Sequence, residues 1–168
     1  MAEFTLPAAL IDKEGRPFVV RRLRPEDRLA LEAMYMSFEP KRGAQGLPPH
    51  EGGITRWLDR ILASGEHLGV IVDSELLGHV MILPMAHGRG ELANFLHQSI
   101  RNRGIGTFIN RIALDVAREQ GLQRVWLCVE PFNRAAVRSY EKAGFRRLVG
   151  TLWAPEIEME ADLEPDAG

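Results

Sequence analysis

The seven residues Arg101-Asn102-Arg103-Gly104-Ile105-Gly106-Thr107 put two guanidinium groups and two glycines just ahead of a run with apolar residues at helical spacing. The first turn of a helix has backbone N–H groups with no intrahelical acceptor, at the positive end of the helix dipole, so such a junction can hold a diphosphate. Glycine serves where backbone must approach phosphate closely or adopt unusual dihedrals, and Arg101 and Arg103 are expected to add two charges beside it. The loop lacks the lysine of a Gly-x-x-x-x-Gly-Lys-Ser/Thr motif, and Ile109 stands where a Gly-x-Gly-x-x-Gly fingerprint needs its third glycine. A second cluster runs from Asn133 to Phe145. Asn133 is a natural helix cap, Tyr140 brings a phenol onto that helix, and Gly144 ends it.

Several elements must position these residues. Phe18–Leu23 reads as a first strand, and Pro25 then opens a helix carried to about Phe38 by Leu29, Leu31, Met34 and Tyr35. Glu39–Gly53, rich in Gly and Pro, reads as a long irregular loop. Ile54, Trp57, Leu58, Ile61 and Leu62 mark a second, amphipathic helix closed by Gly65. Three strands follow in quick succession, Leu68–Val72, Leu77–Leu83 and Glu91–His97, joined by the turns at Asp73-Ser74 and His87–Gly90. Phe108, Ile109, Ile112, Ala113, Val116 and Ala117 mark a third helix, Val125–Val129 a buried strand, and Asn133–Ala143 a fourth helix. Arg146–Leu152 and Glu156–Ala161 read as closing strands, and residues 162–168 as an acidic tail. This order predicts one mixed α/β domain over 1–168 with its core in about 18–161.

The two clusters together resemble the GNAT superfamily of N-acetyltransferases. In that family an Arg/Gln-x-x-Gly-x-Gly/Ala loop receives the pyrophosphate of acetyl-CoA, and an Asn-x-x-Ala-x-x-x-Tyr-x-x-x-Gly-Phe segment flanks the thiol end of the coenzyme. Both patterns occur here in the family's order, and Asp73–Gly78 is similar to its turn between the second and third strands. The resemblance implies a mostly antiparallel mixed sheet of six to seven strands with four helices, splayed between the fourth and fifth strands. It implies acetyl-CoA as co-substrate and no metal, with Leu96, His97, Arg101, Asn102, Arg103, Gly104, Ile105, Gly106, Thr107, Asn133 and Tyr140 at the coenzyme.

Acetyl transfer from a thioester to an amine requires a base for the amine, a donor for the carbonyl oxygen and an acid for the departing thiolate. The resemblance assigns the oxygen to a backbone N–H near Leu96 and the acid to Tyr140. Glu91 is the first choice of base, because bacterial protein lysine acetyltransferases of this superfamily place a glutamate at the same distance before the loop. Strand alternation puts Glu91, Ala93, Phe95 and His97 on one face and Leu92, Asn94 and Leu96 on the other. His97 and Glu130 are rivals, as is a base reached through ordered water. Cys128 reads as a small buried hydrophobe, and it occupies a fifth-strand position where some family members carry a glutamate.

The acceptor is expected to be a small-molecule amine or a protein amine. Lys41, Arg42 and His50, with Tyr35, Phe38 and Trp57 beside them, suggest a basic, aromatic-edged rim suited to an acidic amine. The row Glu156, Glu158 and Glu160 suggests the opposite. Protein lysine or N-terminal acetylation and a non-catalytic acyl-CoA sensor are the alternatives, and a homodimer through the last strands is compatible with the resemblance. A formal net charge of -2 without a basic tract argues against nucleic acid. No apolar stretch long enough for a membrane helix and no basic-flanked leader are present, so the expected address is cytoplasmic and off the membrane. The five histidines and the single cysteine show no metal-ligand spacing.

Overall fold

A computed structural model describes residues 2–150 and 155–163. Among these, eight strands and four α-helices form one mixed sheet with helices on both faces. The order along the chain is β1 (Ala8–Ile11), β2 (Pro17–Arg22), α1 (Arg28–Ser37), α2 (Glu51–Ile61), β3 (Glu66–Val72), β4 (Glu75–Pro84) and β5 (Arg89–Leu96). It continues with α3 (Ile105–Glu119), β6 (Arg124–Val129), α4 (Arg134–Ala143), β7 (Arg146–Arg147) and β8 (Ile157–Asp162). Across the sheet the order is β1-β2-β3-β4-β5-β6-β8-β7.

Every neighbouring pair is antiparallel except β5 and β6. Those two are joined by α3, the crossover that a parallel pair requires. They pair only at Arg89–Arg124, Gly90–Val125 and Glu91–Trp126. Beyond Glu91 the strands part, and Leu92–Leu96 faces an open seam. The expected splay between the fourth and fifth predicted strands is this seam.

Four helices and a largely antiparallel mixed sheet agree with expectation, but the sheet has eight strands because β1 precedes the first one read from sequence. Ala8–Ile11 is too short to show alternation, and its pairing with Pro17–Val20 depends on a turn. The Asp12 carboxylate makes that turn by accepting the N–H groups of Glu14 at 2.8 Å and Arg16 at 3.0 Å. At the other end, Asp162 lies in β8 and Leu163 is buried, so the fold reaches past Ala161. Residues 164–168 of the expected tail lie outside the described residues. The strand expected at Arg146–Leu152 forms as Arg146–Arg147, with Leu148 N–H still bonded to Glu158 O at 2.9 Å. Its residues 151 and 152 lie outside the described residues. α2 starts at Glu51 and includes Gly52 and Gly53, because burial of Ile54, Trp57, Leu58 and Ile61 outweighs their poor helix propensity.

The sheet separates two apolar layers. Leu92, Ile100, Ile109, Ile112, Val125 and Leu127 pack with α3 and α4 on one face. Leu31, Tyr35, Ile54, Trp57, Leu58 and Phe95 pack with α1 and α2 on the other. Tyr35 is the hub of the second layer, meeting the rings of Trp57 at 4.9 Å, Phe95 at 5.7 Å and His79 at 5.8 Å. Its hydroxyl lies 2.7 Å from His79 Nδ1, His79 Nε2 lies 3.0 Å from His67 Nδ1, and His67 Nε2 lies 2.9 Å from Ser64 O. Ser64 O can only accept, so His67 Nε2–H donates to it. In the arrangement with a neutral His79, His79 Nε2–H donates to His67 Nδ1 and Tyr35 O–H to His79 Nδ1.

Burial, reinforced by His67, pushes the His79 pKa down to about 3. An unfolded chain takes up this proton near the ordinary histidine value, whereas the folded protein resists it until much lower pH. Stability is therefore expected to fall on acidification from about 6.5 toward 3, by about 1 kcal/mol per pH unit from this residue. Urea unfolding at pH 7 and pH 5 checks this, and His79→Leu is expected to flatten the slope.

Candidate active site

The open edge of β5 has a defined polarity. His97 N–H donates to Leu77 O at 2.8 Å, and in an antiparallel ladder such bonded pairs alternate. Phe95, Ala93 and Glu91 thus turn their backbone groups to β4, while Leu96, Asn94 and Leu92 turn theirs to the seam. The Leu96 carbonyl on that side accepts from Arg101 Nε at 2.9 Å. The Arg101 guanidinium also lies over the Phe38 ring, 4.9 Å from its centroid. Arg101 is half-buried, and desolvation lowers its pKa.

After β5 a short 3₁₀ turn, Gln98–Ile100, buries Ile100 and leads into the glycine loop. Asn102 and Gly104 both adopt positive φ, 62° and 76°, and α3 begins at Ile105. The N–H groups of Gly104 to Thr107 thus precede the first acceptor inside the helix. Gly106 has a different reason for its small size, since a Cβ there would meet Ser139 Oγ at 3.0 Å where α3 and α4 close together. Arg103 forms a loose ion pair with Glu14 at 3.7 Å, and its carbonyl accepts Lys13 N–H at 3.1 Å. Both expected cations are therefore engaged by protein groups, and the loop's outward polarity comes from its backbone.

A cleft of about 580 Å³ runs from this loop along the seam. Leu96, Arg101, Asn102, Arg103, Gly104, Ile105, Gly106, Thr107, Asn133 and Tyr140 all line it. Asn133 caps α4, its side chain accepting from Ala136 N–H at 3.3 Å. Tyr140 is buried, its ring edge-on to Phe145, and desolvation pushes its hydroxyl up to about 12 while a hydrogen bond with Asn94 acts in the opposite direction. His97 does not line the cleft. Its Nε2 lies 3.0 Å from Ser37 Oγ and its Nδ1 2.8 Å from Ser99 Oγ, so the ring braces α1 against the loop. Burial, then the charge of Arg101, lowers its pKa.

Glu91 sits at the last β5–β6 rung, on the α1/α2 face and thus across the sheet from Asn94 and Tyr140. It is half-buried, its pKa is raised by desolvation, and no cation among the described residues pairs with it. Cys128 lies nearby. Burial first, then Glu156 and Glu158 and finally Glu91, push its thiol up to about 12, so it is neutral and a poor nucleophile at ordinary pH. Glu158 accepts from Trp126 Nε1 at 3.1 Å, and Glu160 is buried between Arg124 and Arg146 at 3.7 and 3.6 Å.

The aromatic edge expected of the basic rim does not form. Tyr35 and Trp57 are core residues, and Phe38 alone of the three lines the cleft, beneath Arg101. The Lys41 ammonium is turned inward, donating to Met36 O at 3.0 Å and Phe38 O at 2.7 Å.

Sequence reasoning missed Lys13, which the β1–β2 turn delivers to the cleft wall beside Gly104. Its ammonium has no carboxylate partner among the described residues. No signal pointed to it, because the hairpin itself was not read. Asn110 and Ser139, also on the wall, were missed although Asn110 interrupts the apolar face of α3. Among the described residues no group of three His, Cys, Asp or Glu side chains could hold a metal ion, and no helix is long and apolar enough to cross a membrane.

The sequence matches the model of the GNAT acetyltransferase family over residues 29–145, and the chain belongs to that family. The fold agrees. The GNAT domain of S. lividans PAT superposes with a TM-score of 0.77 at 18% identity, covering 96% of this chain and all of that one. An aminoglycoside acetyltransferase, AAC(6')-Ib with coenzyme A and kanamycin, gives 0.67 at 20% identity, covering 86% and 94%. A ribosomal-protein-alanine N-acetyltransferase from Brucella melitensis gives 0.67 at 19%, covering 86% and 99%. A search of curated proteins finds no match to this sequence.

A side chain at Gly104 meets left-handed strain, so Gly104→Glu is expected to weaken acetyl-CoA binding more than about tenfold. Lys13→Ala is expected to weaken it about two- to fivefold, with the difference shrinking as salt is added. Calorimetric titration of acetyl-CoA into variants with unchanged circular dichroism checks both.

Proposed function

We propose that this acetyltransferase moves an acetyl group from acetyl-CoA to a primary amine by direct attack within a ternary complex. The observation that carries the proposal is the seam itself, an unpaired strand edge leading from a helix-start anion cradle to a buried phenol. The Gly104–Thr107 backbone and the Lys13 ammonium bind the diphosphate end. Phosphate oxygens need several donors at once, and the start of α3 supplies them without side-chain ordering. Asn133 and Tyr140 flank the sulfur end.

The Leu96 N–H, turned to the seam by the alternation of the β4–β5 ladder, is the donor for the thioester oxygen. Such a donor is fixed before reaction and acts where water is excluded. Glu91 takes the amine proton from the opposite face, and Tyr140 gives a proton to sulfur as the carbon–sulfur bond breaks. A phenol held neutral by burial suits that task. With Cys128 neutral, direct attack is favoured over an acyl-cysteine route. Glu91, Glu156 and Glu158, grouped around Cys128, favour an acceptor that arrives as an ammonium ion.

Tyr140→Phe is expected to lower turnover about ten- to a thousandfold, the range for losing a general acid. Glu91 must be ionised to act, and burial raises its pKa, so the rate should climb with pH through a limb above the ordinary carboxylate range. Glu91→Gln is expected to remove that limb. Both are read with the best amine from a screen of polyamines, aminoglycosides and lysine or N-terminal peptides. An intact acid limb assigns the base elsewhere, and unchanged turnover at saturating acetyl-CoA removes Tyr140 from the chemistry.

A further inference from the structure

The charges lining the cleft are of one sign. Lys13, Arg101, Arg103, Arg138 and Lys142 line it, and among the described residues no carboxylate does. Arg101 is engaged by the Leu96 carbonyl and the Phe38 ring, and Arg103 by Glu14. The other three have no carboxylate partner among the described residues. They come to the glycine loop from two elements. Lys13 belongs to the β1–β2 turn, its stem 3.8 Å from where a Cβ on Gly104 would be, while Arg138 and Lys142 belong to α4.

α4 is fixed against the start of α3. Asn94 Nδ2 on β5 donates to Asn110 Oδ1 on α3 at 2.7 Å, and Asn110 Nδ2 donates to Ser139 Oγ on α4 at 3.0 Å. Asn110 is 1% exposed, so an amide is tolerated there because it is paired. Ser139 sits where Gly106 leaves room for it. Arg138 is the residue before that contact and Lys142 follows one helical turn later, so the two share a side of α4. Like charges at this spacing repel each other. Glu141, the one acid in α4, does not relieve them, because it meets Arg147 Nε at 3.1 Å.

Coenzyme A carries a diphosphate and, separately, a monoester phosphate on its ribose 3′ oxygen. The cradle at Gly104–Thr107 answers only the first. The monoester has about two negative charges near neutral pH and three strong acceptor oxygens. We propose that Arg138 and Lys142 form the subsite for this 3′-phosphate, so that the protein selects the 3′-phosphorylated coenzyme over its dephospho form. The proposal rests on the reading of Gly104–Thr107 as the diphosphate cradle. With the thiol end in the seam and the diphosphate at the start of α3, the nucleotide end lies outside the seam. Both basic side chains are exposed there and meet a phosphate without being buried themselves. The guanidinium fork takes two phosphate oxygens at once, and the ammonium supplies a point charge for the third.

Calorimetric titration with coenzyme A and with 3′-dephospho-coenzyme A tests the proposal without an acceptor amine. The wild-type protein is expected to prefer coenzyme A about five- to twentyfold. Arg138→Gln and Lys142→Gln each place a good helix former at an exposed position. Each should weaken coenzyme A binding about two- to fivefold and leave the dephospho form within about twofold. The double variant should bind the two ligands about equally, and added salt should shrink the wild-type preference. Lys13→Ala should weaken both ligands alike and keep the preference. Circular dichroism confirms that each variant is folded. The proposal is overturned by equal affinities in the wild-type protein, by a preference that survives in the double variant, or by a preference lost in Lys13→Ala. Folded wild-type protein that binds neither ligand means that the diphosphate reading has failed, and the proposal goes with it.

Discussion

β5 loses its neighbour after Glu91, and the rest of the site is arranged around that gap. A strand edge inside a sheet carries backbone donors and acceptors that are costly to leave unanswered. The protein answers one of them itself, with Arg101 on the Leu96 carbonyl. The remaining groups on that edge line a cleft that opens along the sheet. Alternation along the ladder decides which amides face it, so pairing of β5 with β4 sets the chemistry of the side away from β4.

Charge is distributed less directly than side-chain types suggest. Arg101 and Arg103 flank the glycine loop, yet one braces the end of β5 against Phe38 and the other meets Glu14. Their contribution is to hold the loop in the geometry that points its amides outward. Lys13, which has no carboxylate partner among the described residues, is brought to the cleft by a hairpin remote in sequence. A backbone cradle supported by engaged arginines loses less conformational entropy on binding than one built from free side chains.

The two proposed proton transfers lie on opposite faces of one strand. Glu91 belongs to the α1/α2 side and Asn94, beside Tyr140, to the α3/α4 side, because side chains alternate along β5. The sheet therefore lies between the two proposed groups. Burial raises the pKa of both, which is the direction that the proposed roles require. Within the α1/α2 layer, the Tyr35–His79–His67 chain shows the same economy, each donor meeting one acceptor.

Local periodicity and turn residues were enough for the four helices, the seven strands from Phe18 onward and the glycine turn before the third helix, because each depends on neighbours within a few residues. Strand alternation likewise settled the two faces of β5 before any tertiary contact was known. The β1 strand escaped notice because four residues carry no period, and their pairing depends on Asp12 folding the chain back. The expected aromatic rim failed because Tyr35 and Trp57 mark one face of a helix, and only packing decides whether that face meets ligand or core. The partners of Arg101, Arg103 and Lys13 and the Asn94–Asn110–Ser139 chain were decided by tertiary structure alone, since hydrogen bonds and ion pairs between elements far apart in sequence leave no local pattern.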